Sequence, residues 1–288
     1  MKVQPENFLC GHEIKNGRIQ SFRMTCPTCH SYWDLQSLER LHKSAQYQAQ
    51  YPENYPQQRK HFDSDTGANK VLTLASWIKK INLQLQEKTV CEVGFGVGYT
   101  LKYISNLASH TFGIEAVQSN INFATNELGL PRDHLFFSTN LPGKLSILVD
   151  LWIFQDSFEH ILDIDEFLRW MTNQSQINSE VFIVAPRADS LSQKIMGKLW
   201  IHKGEDHVFH WSLEGITNVL NKNGYVLEKS FYPLKRISFK TVAYHILAKT
   251  GKPTQTCLHK LVDKLSFFSM PFNFGEMGLL FKRRGGTP

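Results

Sequence analysis

The sequence predicts an α/β protein: a mostly parallel sheet covered by helices on both faces, with a small Cys/His head at its amino end. Three observations carry that expectation. Between about residues 67 and 222, short apolar runs alternate with stretches of helical period, the pattern of a doubly covered parallel sheet. One run, Thr89-Val90-Cys91-Glu92-Val93, breaks into Gly94-Phe95-Gly96-Val97-Gly98 and opens a helical stretch from about Tyr99 to Leu107. A chain of 288 residues with 42% apolar content can also bury one full α/β core and a small appendage.

In chain order, residues 1–33 form the head, with Cys10-Gly11-His12 and Cys26-Pro27-Thr28-Cys29 separated by a polar segment. A C-P-x-C turn places two thiolates on one tetrahedral metal, and the head resembles an incomplete zinc ribbon in which Asn7 stands where another Cys would be. The expected ligands are Cys10, His12, Cys26 and Cys29, with His30 as the alternative to His12; a decayed knuckle held by packing and a redox pair are the competing readings. Cys91 lies within a strand and Cys257 in a basic region, so neither reads as a ligand. Residues 34–65 read as a linker that begins helical and ends in a polar stretch containing Tyr51-Pro52-Glu53-Asn54-Tyr55-Pro56. From Gly67 to Asn82, Val71, Leu74, Trp77, Ile78 and Ile81 recur at helical spacing. Strands are expected near 88–93, 111–115, 134–138, 147–154 and 179–184, and helices near 98–107, 117–128, 163–172 and 212–222. Beyond Phe231, residues of about 233–270 form an insertion with two amphipathic helices. One contains Ile237, Phe239, Val242 and Leu247, the other Leu258, Leu261, Leu265 and Phe267.

The glycine run carries the chemistry. Glycines at 94, 96 and 98 remove the β-carbons that hold a ligand away from the backbone, and the following helix aims free amides at the same place. Glu92 ends the preceding strand. Glu115 ends the next, about twenty residues beyond the glycines, where a carboxylate holds a ribose diol; the duller reading is a cap on the helix beginning near Val117. The spacing is G-x-G-x-G. The dinucleotide fingerprint G-x-G-x-x-G would need its third glycine at Tyr99, so nicotinamide binding is the lesser reading.

This run resembles the first motif of class I S-adenosylmethionine-dependent methyltransferases, and the resemblance continues downstream. Val149 to Phe154 leads into Gln155-Asp156-Ser157-Phe158-Glu159-His160, similar to the fourth-strand loop of the branch that includes ubiquinone-biosynthesis O-methyltransferases. Glu205-Asp206-His207-Val208-Phe209-His210, with Asn223-Gly224-Tyr225 after a helical stretch, is similar to that branch's histidine loop and Gly-aromatic turn. The match spans roughly residues 66–232 and returns for the last strand, Gly275 to Lys282. It implies a Rossmann-like seven-stranded sheet over residues 66–288, closed by an antiparallel pair from Tyr225 to Phe231 and Glu276 to Lys282. It further implies S-adenosylmethionine held by Glu92, Gly94, Phe95, Gly96, Gly98, Glu115, Gln155 and Asp156. His160 or His207 is the expected acceptor-side base, His207 being favoured over His210 because it matches the loop histidine. Gln155 and Asp156 read otherwise as ordinary loop residues, and Glu159 with His160 as a local hydrogen bond.

The expected activity is methyl transfer to a small-molecule or glycan/lipid-linked acceptor, at oxygen. The charge of +6 concentrates past Glu228, where a basic surface suits nucleic acid, anionic lipid headgroups, a phosphorylated substrate or simple solvation. A nucleic-acid methyltransferase is therefore one rival, disfavoured because no Asn/Asp-Pro-Pro-aromatic loop is present; a non-enzymatic S-adenosylmethionine-binding protein is the other. Apolar faces beside lysines in the insertion suit a lid or a peripheral membrane contact. Met1 to Asn7 lacks the apolar segment of a secretory leader, no run reaches membrane-span length, and five cysteines of uneven spacing read as reduced thiols; the expectation is a cytoplasmic protein.

Overall fold

The computed structural model describes residues 10, 18–20, 23–34, 55–138, 141–197, 200–203, 207–238 and 269–284. The head contributes β1 (Arg18–Gln20), β2 (Arg23–Thr25) and β3 (Tyr32–Asp34). The body opens with α1 (Tyr55–Ile81) and β4 (Thr89–Val93), followed by α2 (Tyr99–Ser105), β5 (His110–Glu115), α3 (Gln118–Asn126) and β6 (Leu135–Phe137). Next come β7 (Val149–Gln155), α4 (Ile164–Asn173), β8 (Ser175–Pro186), α5 (Leu191–Met196), β9 (Phe209–His210) and α6 (Leu213–Lys222). The chain ends through β10 (Tyr225–Phe231), β11 (Lys235–Ser238), β12 (Ser269–Phe272) and β13 (Glu276–Arg283).

Seven strands form the main sheet in the order β10-β13-β8-β7-β4-β5-β6. The pairs β4·β5, β4·β7, β5·β6 and β7·β8 are parallel, whereas β13 runs antiparallel to both β8 and β10, as expected for the final pair. Strand order reverses between β4 and β7, and ligands of open α/β sheets bind outside the carboxyl ends of the strands at such a reversal.

Alternation along the strands feeds two apolar layers. Leu151, Ile153, Phe182, Val184 and Leu280 pack under Leu74, Trp77 and Ile81 of α1. Trp152, Phe154, Val181, Ile183 and Phe281 point the other way, toward Leu168 of α4 and Ile216 of α6. That second layer also takes in Cys10, Cys26, Cys29 and Trp33 of the head.

Three expectations change. The linker of residues 34–65 is helical from Tyr55, because Pro56 falls in the first turn of α1, where a missing N–H costs nothing; residues 35–54 lie outside the described ones. Ile237, assigned to an insertion helix, lies instead in β11, which pairs with β12 in a two-stranded ribbon; the remaining residues of both expected helices lie outside the described residues. The head is not a closed unit, since β9 completes its four-stranded sheet through the pairs Tyr32↔His210 and Trp33↔Phe209.

The head also docks on the start of α6. Ser212 caps that helix by accepting from the Gly215 amide at 3.0 Å, and Ser31 Oγ lies 3.0 Å from Ser212 Oγ while accepting from the Ser212 amide at 2.9 Å. Gly215 leaves room for this contact: a β-carbon there would lie 2.2 Å from Ser31 Oγ.

Candidate active site

Residues 94–98 turn the chain from β4 into α2 with φ of +73° at Gly94, +58° at Gly96 and +94° at Gly98, a backbone that side-chain-bearing residues rarely adopt. A β-carbon at Gly94 would meet Ser157 Cβ at 2.4 Å, so this glycine lets the loop after β7 close onto the glycine turn; Ser157 Oγ secures the closure by donating to the Val93 carbonyl at 2.6 Å. Beside Gly96 there is open space. The Phe95 side chain is buried with Leu101 and Ile121, which leaves its main chain as the part able to meet a ligand.

The two acids flank this turn. Glu115 Oε2 accepts from the Gly96 amide at 2.7 Å, and Oε1 accepts from the Ala116 and Val117 amides at 3.0 Å each. The capping contact at the start of α3 is thus present, and the same carboxylate also shapes the glycine turn. Burial raises the Glu115 carboxyl above its usual range, opposed by those amide hydrogen bonds. Glu92 is 1% exposed; its Oε1 accepts from Thr100 Oγ1 and from Gln155 Nε2, both at 2.7 Å, while Oε2 has no hydrogen-bond partner among the described residues. Burial pushes the Glu92 carboxyl up to about 7, opposed by the Thr100 and Gln155 hydrogen bonds.

Asp156, at φ +51°, does not stand open as a loop acid. Lys235 Nζ of β11 reaches its two oxygens at 2.6 and 2.7 Å and Glu276 Oε1 at 3.2 Å, and His202 Nε2 lies 2.9 Å from the same Glu276 oxygen. Burial disfavours the Glu276 carboxylate, yet the Lys235 ammonium and His202 hold it at about 2. Nothing in the sequence singled out Lys235, Glu276 or His202, which the fold alone brings together. Further basic groups of the carboxyl-terminal part are tied to the main chain: exposed Lys229 donates through Nζ to the Ile81 carbonyl, and half-buried Arg283 donates to the carbonyls of Thr172 and Ser175. Lys235 and Arg283 are thereby partly withdrawn from the expected basic surface, while 239–268 lie outside the described residues.

His160 and His207 meet edge to face with ring centroids 4.8 Å apart, both half-buried. Glu159, 1% exposed, joins them: one ligand-type atom from each of the three lies within 4.8 Å of the others. His210 is buried and stacks on Tyr32 at 4.3 Å; burial, reinforced by His207 and Arg23, pushes its imidazole well below the usual range.

In the head, the Cys10, Cys26 and Cys29 sulfurs lie within 4.8 Å of one another, all buried. The Cys10 thiol holds the Cys29 thiol down to about 4 against the opposing effect of burial. His30 is exposed at φ +62° and is not among the residues whose ligand atoms lie within 4.8 Å of one another there; His12 lies outside the described residues.

No family model matches the chain, and no curated protein matches it. Solved structures do. The YcgJ protein from Bacillus subtilis is 15% identical with a TM-score of 0.50, covering 74% of this chain and 99% of its own. BH2331 from Bacillus halodurans C-125, described as a candidate methyltransferase, is 12% identical with a TM-score of 0.50, covering 73% of this chain and 98% of its own. The fold is the Rossmann-like methyltransferase fold. A magnesium protoporphyrin IX methyltransferase from Synechocystis PCC 6803, solved with bound SAH, is also similar, at 14% identity and a TM-score of 0.47 over 77% of this chain and 87% of its own. Within the methyltransferase fold, Glu92, the glycine turn, Glu115 and the 155–160 loop lie together at the carboxyl edge beside the strand-order reversal. Among the described residues, no helix is long and apolar enough to cross a membrane.

Proposed function

We propose that the protein is an S-adenosylmethionine-dependent methyltransferase acting on a small-molecule or glycan/lipid-linked acceptor, at oxygen. The observation that carries this reading is the turn of three positive-φ glycines braced between Glu92 and Glu115 at the strand-order reversal. S-adenosylmethionine supplies a sulfonium methyl that is already activated, so the protein chiefly has to align the acceptor and exclude water. Glu115 would hold the ribose hydroxyls, and the open space beside Gly96 admits a ligand close to the backbone. Glu92 would answer the cofactor's ammonium, with Gln155 and Thr100 fixing its carboxylate. His160 and His207 would face the acceptor and activate its oxygen.

The head is read as a structural zinc site made by Cys10, Cys26, Cys29 and, from the segment after Cys10, His12. The fit is chemical. Sulfurs around a tetrahedral zinc stand about 3.8 Å apart, a separation that small rotations of a cluster within 4.8 Å can reach.

Calorimetry with S-adenosylmethionine and its demethylated product tests the cofactor assignment. Both should bind with one site per chain. A protein that binds neither, yet takes up a nicotinamide dinucleotide, would remove the methyltransferase reading. Labelled-methyl profiling over fractionated extract then identifies the acceptor, and cofactor binding without turnover on any fraction would favour a regulatory role.

A further inference from the structure

One imidazole is enough to accept one proton, but the acceptor side of this cleft gathers three metal-type donors. Glu159, His160 and His207 each bring a ligand atom to within 4.8 Å of the others. An ion bound by nitrogen and oxygen at about 2.0–2.2 Å holds neighbouring ligand atoms roughly 3–4 Å apart, so modest side-chain rotation closes the set. Glu159 is buried while both imidazoles keep part of their surface in solvent, which provides an access route for the ion.

Two independent supports hold these donors. Glu159 and His160 ride on the turn Phe158–His160, anchored by Phe158, which is fully buried against Phe154 and Trp211. His207 lies two residues before β9, whose position is set by pairing with β3 of the head. A carboxylate with two imidazoles is a three-ligand set of the kind that leaves coordination positions open for water or substrate, unlike the closed thiolate sets of structural sites.

We propose that Glu159, His160 and His207 bind one divalent transition-metal ion, of the Zn2+ or Mn2+ class, and that its open position takes the acceptor oxygen. The metal site stands on the donor geometry; its role toward the acceptor rests on the methyl-transfer reading. A hydroxyl bound to such an ion ionises near neutral pH, its O–H bond breaking and its proton passing to bulk water. His160 and His207 then act as ligands, and no free imidazole base is required.

Mn2+ separates this site from the thiols of the head, because it favours oxygen and imidazole donors over thiolate. Titrating Mn2+ into the full chain, with loss of the free-ion electron paramagnetic resonance signal as readout, should show about one ion bound per chain. His160→Ala and His207→Ala should each weaken uptake by at least about tenfold. Both rings are partly exposed, so both variants should unfold at near wild-type temperature, which checks that lost uptake is not lost folding. Folded wild type that leaves Mn2+ free at concentrations on the order of 1 mM, or variants that bind as wild type does, would overturn the proposal. Calorimetry with S-adenosylmethionine on the same samples keeps the two readings apart. Cofactor binding without Mn2+ uptake removes the metal and leaves methyl transfer standing; histidine-dependent Mn2+ uptake without cofactor binding does the reverse.

Discussion

Glu92 and Glu276 are both buried carboxyls at one edge of one sheet, yet their surroundings drive them in opposite directions. Glu92 faces neutral donors only at Oε1, and burial lifts it to about 7. An acid whose folded value exceeds its unfolded one binds more protons when folded, so the ligand-free protein should lose stability as pH rises from about 4.5 to about 7. The loss should be of the order of 1–3 kcal/mol. Glu92→Gln should flatten that slope and stabilise the ligand-free protein at pH 8, while weakening S-adenosylmethionine binding; denaturant titrations across pH, with calorimetry, check both. Glu115→Ala should weaken cofactor binding by about 1.5–3 kcal/mol, and it should also lower the melting temperature, since the Gly96, Ala116 and Val117 amides lose their acceptor. The place of both acids was legible from strand ends and glycine spacing. That Glu115 serves backbone amides as well was offered by the sequence only as a rival reading, because a carboxylate at a helix start and one at a ribose site occupy the same position in the chain.

Among the elements, β11 is tied to the end of β7 by one lysine. Lys235 and Asp156 are 79 residues apart in sequence, and a basic residue in a basic segment carries no local sign that it will be buried between two acids. Replacing it with Met should cost about 3 kcal/mol, discounted from the buried-pair range because Asp156 is partly exposed, and thermal melts at pH 7 measure this. The sign of the acid limb follows from Glu276: held at about 2, it contributes stability that is full above about pH 4.5 and lost as pH falls toward 2, and Lys235→Met should weaken that dependence, leaving the part that His202 supplies. The start of α1 was illegible for a different reason. Polar residues at 55–65 supply no apolar period, and the proline that reads as a linker signal sits where a helix tolerates it. Gly215→Ala places a β-carbon 2.2 Å from Ser31 Oγ and should separate the head from α6 at a cost of about 1–3 kcal/mol, readable as a lower melting temperature.

At the level of the whole molecule, alternating strands and helices made the parallel part of the main sheet readable, while its antiparallel end pair was expected only from the resemblance to methyltransferases. The join between head and body was not readable. Two-residue β9 has no strand signature of its own, and the apolar residues that bury the head thiols come from distant elements. Because those thiols share a core layer with Phe158, Val208 and Trp211, chelating the zinc proposed for the head should lower the melting temperature of the entire protein in one transition rather than release the head alone. Elemental analysis before and after chelation, with a thermal scan, checks this.

The pairing of β3 with β9 also sets an order of events during synthesis. The head leaves the ribosome before β9 and meets its last strand only when the chain has grown past His210, and Ser31 waits 181 residues for Ser212. Throughout that interval β3 presents an unpaired edge, open to mispairing with other strands. Early metal capture by Cys26 and Cys29, which are adjacent in the turn, would protect the nascent segment. With zinc bound in the head as proposed, its supply during translation should therefore govern the yield of soluble protein more strongly than zinc added after folding.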